Sequence, residues 1–76
     1  MQKQKIEYNS DVDALVAVAK RLSQQESKYQ MSSENFFDGY SKGNLDDTVD
    51  FVEWSNDYQH FLAIRSGLEK QLKHVA

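Results

Sequence analysis

The 76-residue chain contains no cysteine and no proline. Lack of cysteine rules out disulfides and thiolate metal sites. Lack of proline leaves no residue that must break a helix, and the glycines are only three, Gly39, Gly43 and Gly67, so the composition is permissive for helix. No apolar run approaches the ~18 residues of a membrane span. The stretch Met1–Tyr8 is polar and lacks the apolar core of a signal peptide, which makes a cytoplasmic protein the default expectation. The two histidines, His60 and His74, have no ligand cluster around them. No glycine-rich phosphate loop is present, and no serine or acid stands near a histidine in a triad-like context. The chain is therefore expected to be no enzyme and to hold no cofactor and no metal.

What the chain does have is a seam. Phe51, Trp54, Tyr58, Phe61, Arg65, Leu68, Leu72 and Val75 fall at alternating steps of three and four. A helix with such a heptad stripe buries it against another helix. A chain this short buries only about 60% of the surface its unfolded form exposes, so little inside it can cover the whole stripe. Small domains compensate with disulfides, metals or association, and association is the option left open. The seam thus points to a protein-interaction module, with a homo-oligomer as one outcome.

The remaining elements follow from caps and spacing. Residues 1–9 read as a flexible lead-in or a short strand around Lys5–Tyr8. Ser10 is an N-cap, with Asp11 and Asp13 where the helix dipole favours acids. Val12, Leu15, Ala19 and Leu22 keep a helical step that extends to Tyr29, giving a first helix over 10–29. Ser32-Ser33 opens a short second helix over 32–42, with Phe36, Phe37 and Tyr40 as its apolar side and Gly43 as its stop. Asp46 or Asp47 is expected to cap a long third helix over 47–74, roughly 40 Å at 1.5 Å per residue. The expected fold is all-α, a single domain in which a hairpin of two longer helices is joined by a short one. The end of the third helix, around Leu68, Leu72 and Val75, should outrun the first and offer a surface to another chain.

Charge is unevenly placed. The formal net charge is −3, yet Glu34, Asp38, Asp46, Asp47, Asp50, Glu53 and Asp57 stand against the single base Lys42, so this segment carries −6 and the rest +3. An acidic centre suits a basic partner surface and argues against nucleic acid as the ligand of this chain alone. Residues 46–53 also resemble the second half of an EF-hand loop. With Glu53 at the last ligand position, Asp50, Asp46 and Asn44 fall on ligand positions. However, Lys42 takes the first position, and Asp47 replaces the glycine of the sharp turn. A calcium-responsive regulatory module is thus an alternative with two defects. Trp54 and Tyr58 are either core or interface anchors. Arg65, the one charge in the seam, either specifies register or partner or reaches out past the seam to water.

The stretches Met31-Ser32-Ser33-Glu34-Asn35-Phe36-Phe37, Lys42-Gly43-Asn44-Leu45-Asp46-Asp47 and Asp50-Phe51-Val52-Glu53-Trp54, followed by Tyr58, resemble a pattern found in short bacterial and cyanobacterial proteins. Many of these look like the antitoxin halves of toxin–antitoxin pairs. The resemblance covers residues 31–58, with Asn35, Asn44 and Asp46 as departures. It implies neutralisation of a toxin by direct binding. Asp46, Asp47, Asp50 and Glu53 would steer a basic toxin and aromatic residues such as Trp54 would anchor it, while Arg65, Leu68, Leu72 and Val75 complete the candidate partner surface. A structural adaptor that self-associates is the remaining alternative.

Overall fold

The computed structural model describes residues 10–75, with side chains as far as Leu72. It contains three helices, α1 (Asp11–Tyr29), α2 (Ser33–Ser41) and α3 (Val49–Val75), and no strand among the described residues. The all-α hairpin expected from the sequence is the fold. The lead-in or short strand expected over residues 1–9 lies outside the described residues.

Each helix starts at a side-chain cap that satisfies an orphan N–H group. Ser10 accepts from the Asp13 amide at 3.2 Å and Ser32 from the Asn35 amide at 3.0 Å. For α3 the cap is Thr48, whose Oγ1 accepts from the Phe51 amide at 3.1 Å. Neither Asp46 nor Asp47 takes that place, because the first helical turn begins at Val49. The C-terminus of α2 closes in a Schellman motif, with Asn44 N–H donating to the Gly39 carbonyl and Gly43 N–H to that of Tyr40. Gly43 sits at φ 79°, where a Cβ is strained. The end of α1 uses the same left-handed conformation at Gln30 (φ 58°), without a glycine.

Helices α1 and α3 run antiparallel. Their register is set by two ion pairs, Arg21–Asp57 and Lys28–Asp50, whose residue numbers each total 78. On that register Asp11 lies level with Gly67. Eight residues of α3, 68–75, therefore run past the start of α1, about 12 Å of helix.

The core is small. Ala14, Val18, Leu22, Phe36, Trp54 and Ile64 are its buried apolar side chains. Trp54 lies at its centre, fully buried, stacked on Phe36 with ring centroids 3.9 Å apart, and its indole N–H donates to Ser33 Oγ at 2.8 Å. Tyr29 and Phe51 pack edge to face beside that pair. The short helix α2 thus covers the α1–α3 hairpin only at its joined end, where Phe36 meets Trp54 and Phe37 meets Tyr58. Further along α3 the buried position is Ile64, one residue off the heptad seam, while Arg65 is exposed.

Candidate protein-interaction site

Most of the acidic centre is committed internally. Asp50 accepts from the Lys28 ammonium at 2.7 Å, from the Tyr29 hydroxyl and from the Gln25 amide at 3.4 Å. These donors, Lys28 first, hold its carboxyl at about 2, below its ordinary 3.8. Bonding to Asp50 raises the Lys28 ammonium and the Tyr29 hydroxyl above their usual ranges. Asp57 takes a two-point contact from the Arg21 guanidinium, 3.1 and 3.2 Å. Asp47 accepts from the Tyr40 hydroxyl at 2.7 Å, which raises that phenol, and Asp38 pairs with Lys42. Of the seven acids between 34 and 57, Glu34, Asp46 and Glu53 are exposed and make no ion pair or hydrogen bond among the described residues. Thus Asp46 and Glu53 of the sequence-derived set face outward unpaired, whereas Asp47 and Asp50 hold the fold.

The rest of that set divides too. Trp54 is wholly buried and touches no solvent-facing surface, so it supports a site from beneath. Arg65 is exposed, lies over the Phe61 ring at 5.6 Å and approaches Glu69 at 3.9 Å. It is not buried within this chain, and Ile64 fills the place facing α1. Leu68 is half-buried and Leu72 is 70% exposed. Val75 ends α3, and its side chain lies outside the described residues.

Sequence reasoning missed a groove where the N-terminus of α2 meets the hairpin. It encloses about 360 Å³. Ala19, Leu22, Tyr58 and Phe61 form an apolar floor, and Glu26, Ser33 and Glu34 form one edge. Glu26 is positioned by its bond to the Ser33 amide at 2.9 Å, across the open end of α2, where a carboxylate is favoured by the exposed N–H groups. The signal was present: the three-four step through Ala19 and Leu22 next reaches Glu26, so a charge stands in the α1 seam. A second, polar hollow of about 390 Å³ is bounded by Arg21, Glu53, Asn56 and Asp57. The first can take an apolar chain carrying a cation, and the second can take polar groups.

The residues matched to an EF-hand do not converge. Asp50 turns towards α1, where Lys28, Tyr29 and Gln25 donate to it, and Asp47, at the position of the loop glycine, turns towards Tyr40. Among the described residues no group of three acids or histidines is placed to hold a metal ion. Among the same residues no helix is long and apolar enough to cross a membrane. Comparison with protein families, with curated proteins and with solved structures returned no match to this chain.

Proposed function

We propose that the chain is a protein-interaction module that binds and masks a basic protein partner, in the manner of the antitoxins whose sequence pattern it resembles. The observation that supports this reading best is the groove at the start of α2. Its apolar floor would take the apolar side chains of a partner segment, and Glu26 with the unpaired Glu34 would take that segment's lysine or arginine. Asp46 and Glu53, also unpaired, extend the acidic field that draws such a partner in.

Co-expression with the neighbouring reading frame tests the reading. The neighbour alone should arrest growth, this chain should restore it, and the two should co-purify. Glu34→Lys should abolish rescue while the helical circular-dichroism signal is kept. A neighbour that does not arrest growth, or full rescue by the Glu34→Lys chain, would overturn the proposal.

A further inference from the structure

The far half of the hairpin is left open on the side that α2 covers at the joined end. Beyond Phe61 the stripe is only partly covered: Ile64 takes the buried place, Leu68 is half-buried against the core, and Arg65 and Leu72 are exposed. Leu72 is 70% exposed, and on α1 Val12 and Val16 are 54% and 53% exposed. A heptad seam left partly uncovered offers its exposed positions to a second helix. Two features say what that helix is. Beyond Tyr58, where Phe37 of α2 packs on it, the α3 stripe runs from Phe61 to Val75, and its midpoint is Leu68. The charges along it are also self-complementary.

We propose that a second copy of this chain fills the open face, with the two α3 ends antiparallel about a two-fold axis at Leu68. Under that symmetry the same patch serves both copies, and residue numbers facing each other across the axis total 136. Arg65 then lies within about one half-turn, or roughly 3 Å along the axis, of the second copy's Glu69, and the reverse pair forms equally. The intrahelical Arg65–Glu69 approach is long, 3.9 Å, and both side chains are more than half exposed, so each is available to its counterpart. Lys70 of one copy comes level with residue 66 of the other α3, and hence with Val12, between the exposed Asp11 and Asp13 that open α1. Leu72 of one copy comes level with Ile64 of the other and covers the floor between Phe61 and Leu68. Each overhang thus supplies the third helix that the other hairpin lacks. The groove at α2 meets the paired region only at Phe61; Glu26 and Glu34 lie outside it and serve the heterologous partner, so the dimer stands independently of the proposed function.

The absence of cysteine makes the test direct. Leu68→Cys should form an intermolecular disulfide under mild oxidation, because the two positions meet on the axis, whereas Ser27→Cys at the joined end should not. Sedimentation of the unaltered chain should give twice its 8.8 kDa. Leu72→Asp alters an exposed side chain and should weaken association at least about tenfold while helicity is kept. Arg65→Glu should weaken it as well, and adding Glu69→Arg should restore it. A monomer up to millimolar concentration, equal cross-linking at positions 27 and 68, or no recovery in the double reversal would overturn the proposal. Failure of growth rescue with a normal dimer would count against the masking function alone.

Discussion

Trp54 determines how α2 sits on the hairpin, and it does so through two different interactions. Stacking on Phe36 buries both rings completely, and the bond from the indole N–H to Ser33 Oγ fixes the angle at which α2 begins. A buried donor without a partner costs about 1–3 kcal/mol. Ser33→Ala should therefore lower stability by about that amount in urea titrations, and Trp54→Phe in the same background should change it less than Trp54→Phe alone, since the orphaned N–H is gone. Additive losses in the two variants would show that the bond contributes nothing. Gln30 works the other way. It holds a left-handed conformation that costs a side-chain residue of the order of 1 kcal/mol. Gln30→Gly should raise the melting temperature by a few degrees, even though it removes the 2.6 Å bond to the Ser27 carbonyl.

At the scale of elements, the joined end of the α1–α3 hairpin carries an electrostatic latch beside its aromatic cluster. Asp50 ionises at about 2 in the folded chain, below its ordinary 3.8. The depressed value means that its contribution is fully present above about pH 4 and is lost as pH falls towards 2. Lys28 and Tyr29 shift upward, so their contribution is present below pH 10 and fades above it. Thermal melts between pH 5 and 2 should therefore show a falling midpoint, and Asp50→Asn should flatten that limb of the profile. An unchanged slope in the variant would place the acid sensitivity elsewhere. The caps act locally: Thr48→Ala should cost about 1 kcal/mol because the Phe51 amide loses its acceptor. Gly67 is a helix-interior glycine around which an added Cβ would meet nothing within 4 Å. Gly67→Ala should stabilise isolated monomers by about 1 kcal/mol, measured by denaturation at low concentration.

For the whole molecule, periodicity made the helices and their hairpin legible, and the caps at Ser10 and Ser32 and the stop at Gly43 placed most ends. The start of α3 was misplaced because a loop with two aspartates before a threonine offers three possible caps; the threonine takes the role, while Asp47 accepts from Tyr40. The heptad template missed Ile64, which is buried one residue before Arg65, while Phe61 and Leu68 on either side still pack against the core. The acids of the central segment read as one cluster in sequence, but their partners Arg21, Lys28 and Tyr29 come from α1, which only the folded register brings near. That register leaves Glu34, Asp46 and Glu53 outside the fold's own network. Side chains with no internal partner contribute little to stability, usually within about 0.5 kcal/mol, while they still shape the external field. Neutralising all three, as Glu34→Gln, Asp46→Asn and Glu53→Gln, should leave the urea midpoint almost unchanged. Stopped-flow association with a basic partner should slow by about tenfold at low salt and lose most of its dependence on ionic strength. A large fall in stability would mean that these carboxylates hold the hairpin together. An unaltered association rate with its salt dependence intact would mean that the acidic field is set by the internally paired carboxylates instead.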